Sequence, residues 1–354
     1  MNKRIVYSAL FFVVWIFASC NKETPSPGHE EPRVLSFAAE QIQNRGASTS
    51  SADEILSLGI FGYSTGTEAF NANDPSTLPN LFWNQLVTRD DKTVPWTYDP
   101  VAYWPIDPAI QNTFFAYSPY YTEFPEESFI FSSEDNSGYP FLYYRVPTIL
   151  SEQVDLLYSV FNSNVTNINY DTNAGKVKYT MSHALGWIRF LIAPMPEDDE
   201  DPNASYSIHE FNMSGGNIVT AGQFNLGTAA WTPLDMSDVI YEFDDLHETP
   251  LKAQVGNVTE VSEDCLMLLP QNIVQSQNLT TINLKFTYDD GTNGEQSDTE
   301  YYVTAPFPDV RISAGNVILY IVRVSKSGIL VEFTDENTIE NWLEDEEDRE
   351  IPIH

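Results

Sequence analysis

The sequence predicts an all-β protein built from antiparallel β-sandwiches. Short runs rich in β-branched and aromatic residues recur along the chain, and clusters of Asn, Asp, Gly, Ser and Pro separate them. Several runs alternate with period two, as in residues 283–288, where one face is apolar and the other polar. Windows that favour helices are scarce, and the 22 prolines would interrupt many of them. Strands packed as sandwiches are the fold class that accommodates this pattern.

The first element is a predicted export signal at residues 1–19. Lys3 and Arg4 precede an apolar run that ends in small residues just before Cys20. That run is too short to span a bilayer comfortably. Its end resembles a bacterial lipoprotein box, so we expect Cys20 to be acylated and to anchor the chain on a membrane. An ordinary signal peptide with an incidental cysteine is the alternative.

The next segment, residues 20–33, is predicted to be a flexible tether. Residues 21–33 are rich in Pro and Glu and contain no aliphatic or aromatic side chain that could form a core. We therefore expect the folded part of the chain to begin at residue 34.

Beyond the tether, predicted strands follow one another as far as residue 333. They occupy residues 34–38, 57–63, 113–117, 141–146, 177–179, 187–192, 218–224, 265–269, 281–288, 301–305, 317–324 and 329–333. A proline-containing acidic stretch at residues 194–205 interrupts the series. We interpret it as the connector between two domains, 34–195 and 196–354, because each half has an ordinary domain size. A surface loop within one domain is the alternative.

Composition excludes several functions. The chain of 354 residues carries 51 acidic against 17 basic residues, a formal net charge of −34, so we expect no binding to nucleic acid. Two cysteines cannot make a disulfide framework, and five scattered histidines argue against a multi-histidine metal site. The acidic run at 197–201 lacks the spacing of a calcium-binding EF-hand loop and is interpreted as a solvated surface.

No motif indicates an enzyme, and no cofactor is predicted. His183 lacks a nucleophile elbow nearby, so a structural histidine is the favoured interpretation. Cys265 lies in an apolar run and is expected to be an inert buried thiol. A glycosidase-like carboxylate pair stays open, because such a pair is defined by its separation in space and not by sequence spacing.

Tryptophans could form a sugar-stacking platform. Six of the seven lie beyond the signal segment: Trp83, Trp96, Trp104, Trp187, Trp231 and Trp342. Most of them fall in or beside apolar runs, where large rings usually belong to the core. We therefore expect core roles for most of them.

Several short motifs occur in an order that resembles one family. In sequence, they are Tyr103-Trp104-Pro105, Phe114-Phe115-Ala116-Tyr117-Ser118-Pro119, Asp155-Leu156-Leu157-Tyr158, His183-Ala184-Leu185 and Leu268-Leu269-Pro270-Gln271, followed by Gly315 and Trp342. This series resembles the fimbrillin-like proteins of the Bacteroidetes, the subunits of type V pili. The resemblance implies two consecutive transthyretin-like sandwich domains, a lipoprotein precursor at the cell surface, and partners that are other pilus subunits.

The resemblance also implies proteolytic removal of an N-terminal segment after an arginine, followed by strand exchange between subunits. Arg45 matches the expected position of the cut, and Arg33 is a weaker alternative. Leu35, Phe37 and Ala39 point to one face of residues 34–40, so this segment could be the edge strand of the first sandwich. Its departure would leave an unpaired edge that a strand from another molecule could occupy.

The donor strand is a separate question. Ile329, Val331 and Phe333 alternate on one strand face, and Ile351 and Ile353 do so briefly at the C-terminus. We take the first three as the candidate donor.

The predicted function is that of a non-enzymatic structural, tip, anchor or accessory subunit of a type V pilus that contributes to adhesion to host or bacterial surfaces. A surface glycan-binding lipoprotein is the first alternative. A secreted hydrolase that uses paired carboxylates is the second, and it would need a deep cleft.

Overall fold

Strands make up nearly all of the regular structure in the computed structural model. It describes residues 32–43, 51–120, 129–159, 162–165, 176–195, 203–246, 249–254, 256–292 and 299–333. In chain order the strands are β1 (Ser36–Gln43), β2 (Ser57–Ser64), β3 (Phe82–Thr88), β4 (Asn112–Ser118), β5 (Phe129–Phe131), β6 (Phe141–Arg145), β7 (Leu157–Ser159), β8 (Asn162–Val165), β9 (Lys176–His183), β10 (Gly186–Pro194), β11 (Ser205–Asn225), β12 (Ala230–Glu242), β13 (Leu251–Lys252), β14 (Thr259–Glu260), β15 (Leu266–Leu268), β16 (Gln271–Ile273), β17 (Thr281–Asp289), β18 (Glu300–Pro306), β19 (Val310–Ile312), β20 (Val317–Ser325) and β21 (Gly328–Phe333).

Helices are confined to three short segments in this part of the chain. One is a single α-helical turn, α1 (Gln275–Asn278), and the others are 3-10 turns at Ala52–Glu54 and Leu150–Glu152. None is long and apolar enough to cross a bilayer among the residues described. The all-β prediction is therefore confirmed.

The strands form four sheets. The first sheet has the order β1-β9-β7-β4-β2-β3, with β8 also on β4. The second sheet has the order β14-β10-β20-β21, with β15 also on β10. The third sheet has the order β18-β17-β11-β6-β5, with β12 and β13 also on β11, and β16 pairs with β19 separately.

Two strand pairs are parallel, so the prediction of purely antiparallel sheets is wrong at these places. β1 runs parallel to β9, and β10 runs parallel to β20. Parallel neighbours require a long crossover connection, and each of these pairs joins strands far apart in sequence. The alternation of side chains within a strand carries no information on the direction of its neighbour.

Strand pairing also crosses the predicted domain boundary at 195/196. β6 pairs with β11 in the third sheet, and β10 pairs with β14, β15 and β20 in the second. By pairing, β10 therefore belongs with strands from the C-terminal half. The division into 34–195 and 196–354 stays a prediction.

The central strands of the first sheet are buried on both faces. On β2, Leu58 and Ile60 belong to one hydrophobic cluster, whereas Phe61 and Tyr63 belong to a second and larger one. Burial on both faces explains why nearly every residue of β2 and β4 is buried, with no alternation between buried and exposed positions. The smaller cluster is the one that β1 covers.

Candidate functional site at the edge strand

β1 lies at the edge of the first sheet. Its only partner among the described strands is β9, with Phe37 opposite Val177 and Ala39 opposite Tyr179. The side chains of Leu35, Phe37 and Ala39 are buried, on the face that the alternation predicts. The segment is therefore ordered in a sheet, and its apolar face closes a core.

Phe37 contacts four aromatic rings of this core. Its ring centroid lies 5.7 Å from that of Phe82, 5.4 Å from Tyr98, 5.9 Å from Phe114 and 6.1 Å from Tyr179. The first three contacts are edge-to-face and the last is stacked, which are the geometries that aromatic pairs prefer. Loss of Phe37 would therefore remove a packing contact from four rings at once.

A loop at residues 98–104 holds the start of this segment. The Leu35 amide donates to the Ala102 carbonyl at 2.9 Å, and the Tyr98 hydroxyl donates to the Leu35 carbonyl at 2.5 Å. The Trp104 amide donates to the Arg33 carbonyl at 2.8 Å. Sequence reasoning missed Tyr98, because nothing local links it to a carbonyl that lies 63 positions away.

The far end of β1 is held less regularly. The ladder with β9 shifts register between Ala39 and Gln41, an irregularity that is common at sheet edges. Glu40 forms an ion pair with Lys178 at 2.7 Å, and both side chains are partly exposed. Exposed ion pairs add at most about 1 kcal/mol to the free energy of unfolding. The buried side chains therefore provide most of the energy that holds β1 in the sheet.

The candidate donor residues lie on β21, the edge strand of the second sheet. β21 pairs with β20 in antiparallel register, with Ile329 opposite Val324 and Val331 opposite Val322. Ile329 is buried, and Val331 is half-buried against the larger core; Phe333 ends the strand. A donor role would require β21 to leave β20, and that role stays a prediction.

Other predicted positions lie outside the described residues. They are the acylation candidate Cys20, the cleavage candidate Arg45, the acidic run 197–201, Trp342 and the terminal residues Ile351 and Ile353. Their roles stay predictions.

Tryptophans are mostly withdrawn from solvent in the described part of the chain. Trp104 and Trp187 are buried, Trp96 and Trp231 are half-buried, and Trp83 is more exposed. The Trp231 indole donates to the Ala184 carbonyl at 2.7 Å, which fixes its ring. These positions agree with the core roles expected from the sequence.

His183 pairs with an acid in the interior. Its Nδ1 lies 2.8 Å from Asp155 Oδ1, and its side chain is fully buried. Its Nε2 has no hydrogen-bond partner among the described residues. A fully buried imidazole paired with an interior carboxylate agrees with the structural interpretation. The described residues contain no cluster of three or more His, Cys, Asp or Glu suited to a metal ion.

We expect Cys265 to be unreactive in the folded protein. Burial raises the pKa of its thiol from 9.0 to about 11. Since the thiolate is the nucleophile, alkylation at pH 8 should be about a hundredfold slower in the native chain than in the unfolded one. Iodoacetamide labelling of the Cys265 peptide, quantified by mass spectrometry with and without denaturant, measures this ratio. Equal rates would contradict the prediction.

Comparison with known proteins adds family evidence to this geometry. A family model described as fimbrillin-like matches residues 47–342. A fimbrial protein from Bacteroides vulgatus has a similar structure, with a TM-score of 0.63 and 17% identity over 85% of this chain and 98% of that one. At this identity the likeness is one of fold. A proposed cell adhesion protein from Bacteroides uniformis gives a TM-score of 0.47 and 16% identity over 86% and 96% of the two chains. No curated protein matches significantly.

Proposed function

This chain belongs to the fimbrillin-like family, and on that premise we propose that it is a structural subunit of a type V pilus whose β1 strand is exchanged during assembly. The observation that carries the proposal is the position of β1: an edge strand with a single described partner, in which Phe37 and Ala39 are buried and which directly follows the buried Leu35. Because β1 pairs only with β9 among the described strands, its departure breaks no other strand pair of the sheet.

Departure of β1 would leave a vacant binding site for another strand beside β9, which we call the seat. It would uncover the aromatic cluster around Phe37 and the hydrogen-bonding edge of β9. Burial of Leu and Phe is worth roughly 1.5 to 3 kcal/mol each, so a matching strand from a neighbour recovers several kcal/mol. Hydrogen bonds to β9 add to this. Because each molecule gives and receives through different surfaces, the contact repeats into a filament and does not close.

The position of Arg45 supports it as the processing site. It lies two residues after Gln43, where β1 ends, so a cut there separates β1 from the rest of the fold. A cut after Arg33 would leave β1 attached to β2, because Arg33 precedes the strand. The family match also begins at residue 47, just beyond Arg45.

The remaining features suit export and surface attachment. Acylation of Cys20 would hold the precursor on the outer membrane, and its partners would be neighbouring subunits. Release of the segment that carries Cys20 would detach a subunit from this anchor. A tip, anchor or accessory position accords with the strongly acidic 344–348 segment, which suits a surface better than a groove.

An arginine-specific protease tests the proposal. We expect the lipid-free mature chain to be cut after Arg45, as read by N-terminal sequencing, and then to form polymers visible by electron microscopy. Arg45→Ala should abolish both results, whereas Arg33→Ala, the matched control, should abolish neither. A synthetic peptide of residues 34–43 should block polymerisation, and the same peptide with Leu35→Asp and Phe37→Asp should not. Polymers from uncut chains would refute strand release.

A further inference from the structure

The outer face of the third sheet carries a ladder of polar side chains that bond to one another. Ser214 and Thr281 lie 2.9 Å apart through their hydroxyls. The Asn283 amide donates to Asn212 Oδ1 at 2.8 Å and to Ser214 Oγ at 3.0 Å. Thr304 donates to Asn283 Oδ1 at 2.9 Å. The ladder therefore holds amide and hydroxyl groups from three strands in fixed positions.

A rigid aromatic ring stands at one end of this ladder. Tyr302 is 67% exposed, and its hydroxyl donates to Glu300 Oε2 at 3.1 Å. Lys285 lies 5.2 Å from the ring centroid and forms ion pairs with Glu210 and Glu300 at 3.3 and 3.1 Å. Hydrogen bonding to Tyr302 and to these carboxylates raises the pKa of Lys285, so its charge persists at neutral pH. The ring is thus held in place and presents apolar surface to solvent.

A pocket of about 540 Å³ lies at the other end. Ser214 belongs to both the ladder and the pocket, whose further polar lining includes Asp238 and Gln277. Ile240 and Leu279 contribute exposed apolar surface to it. This volume is within the range of small-molecule sites.

Leu279 is held in an unfavourable conformation. It follows α1 with φ +46° and ψ +38°, a left-handed conformation that glycine adopts freely and a leucine does not. Its side chain is 72% exposed, so burial does not offset this cost. Backbone strain that contributes nothing to the core is a feature of binding sites.

Irregular backbone on β11 shapes the pocket floor. The register with β12 shifts between Gly215 and Ile218, and the Asn278 amide fixes the bulge by donating to the Gly216 and Asn217 carbonyls at 2.9 and 3.1 Å. A Cβ added at Gly216 would lie 2.8 Å from Asp238 Oδ1, so glycine lets that carboxylate lie against the chain.

We propose that this face binds a short neutral oligosaccharide that stacks on Tyr302, follows the ladder and inserts one end into the pocket. From the Lys285 row to the Thr281 row the face spans four residue steps of β17, about 14 Å at about 3.4 Å per residue. Amides, hydroxyls and the Asp238 carboxylate pair with sugar hydroxyls, while Tyr302, Ile240 and Leu279 contact the apolar sugar faces. Carboxylates outnumber the single lysine here, and the chain has a net charge of −34, so acidic glycans are repelled.

This proposal goes beyond pilus assembly, which uses β1, the site that β1 vacates and a donor strand from a neighbouring subunit. Affinity electrophoresis of the mature chain in galactomannan, xyloglucan, mixed-linkage β-glucan and yeast mannan tests it, with polygalacturonate as the acidic comparison. We expect retardation by at least one neutral polymer and none by polygalacturonate. Tyr302→Ala and Asp238→Asn should each weaken that binding about tenfold, the equivalent of one lost stacking or hydrogen-bonding contact.

Two further variants separate binding from folding. Tyr103→Ala removes an equally large ring that is 52% exposed next to the β1 segment, and it should leave retardation unchanged. Leu279→Gly should raise the melting temperature by relieving the backbone and yet weaken binding. Polymers should still form from the cleaved Tyr302→Ala chain, so failure here is distinct from failure of strand exchange.

Three results would overturn the inference: no neutral polymer retards the chain, retardation is equal in all variants, or Leu279→Gly disrupts a dimer seen by light scattering without affecting glycan binding. The last result would assign this face to a second copy of the chain.

Discussion

Phe37→Ala is expected to lower the free energy of unfolding by about 3 to 5 kcal/mol, the usual cost of truncating a buried Phe. The ring is buried among Phe82, Tyr98, Phe114 and Tyr179, and its removal leaves a cavity lined by those rings. Urea unfolding followed by circular dichroism measures the change as a lower midpoint at unchanged slope.

Val34→Ala is the matched control for this experiment. Val34 precedes the same strand and is 44% exposed, so its truncation should change stability by less than about 0.5 kcal/mol. A Phe37→Ala cost as small as that of Val34→Ala would show that β1 contributes little to the core. The prediction about strand release would then lose its energetic basis.

The same variant bears on assembly. If β1 leaves during polymerisation, Phe37→Ala weakens the contact that must break, so cleaved chains should polymerise faster than wild type. Slower polymerisation would indicate that β1 is needed to form the seat, and that it does more than fill the seat before assembly.

The inward face of β1 could be predicted from the sequence, whereas its surroundings could not. Alternation within residues 34–40 is local, and it identifies Leu35, Phe37 and Ala39 without knowledge of any partner. The hydrogen bonds from Tyr98 and to Ala102 depend on how a distant loop packs. Parallel pairing with β9 was equally hidden, because strand direction leaves no trace in side-chain order.

The sequence predicted only the part of the polar ladder that lies on β17. Asn283 and Lys285 lie on the polar face of an alternating strand, and the alternation predicted that face. Their partners come from β11 and β18, and pairing register decides which side chains meet. Nothing in the sequence predicted the conformation of Leu279, since a leucine after a helical turn gives no reason to expect a left-handed backbone.

The acidic partner of His183 could not be identified from the sequence. The histidine stands out because the chain has only five, whereas its partner is one of 51 acidic residues. Only the fold brings Asp155, just before β7, to the end of β9. The pair joins two neighbouring strands of the first sheet from inside, close to the start of β10.

Removal of the acid from this pair should be costly. We expect Asp155→Ala to destabilise the protein by about 1 to 3 kcal/mol, because it leaves the buried imidazole without a hydrogen-bond partner at Nδ1. Nε2 already has none among the described residues, so the ring would lose its only hydrogen bond of this kind. Urea unfolding at pH 7 gives the change.

Asp53→Ala is the control with the same chemical change on the surface. Asp53 lies 3.9 Å from Lys92, both side chains are mostly exposed, and such pairs are worth about 1 kcal/mol or less. The double variant with His183→Ala completes a cycle that separates the pair energy from the cavity left by each truncation. Negligible coupling in that cycle would mean that Asp155 supports the fold through other contacts, and that His183 contributes only as a packed ring.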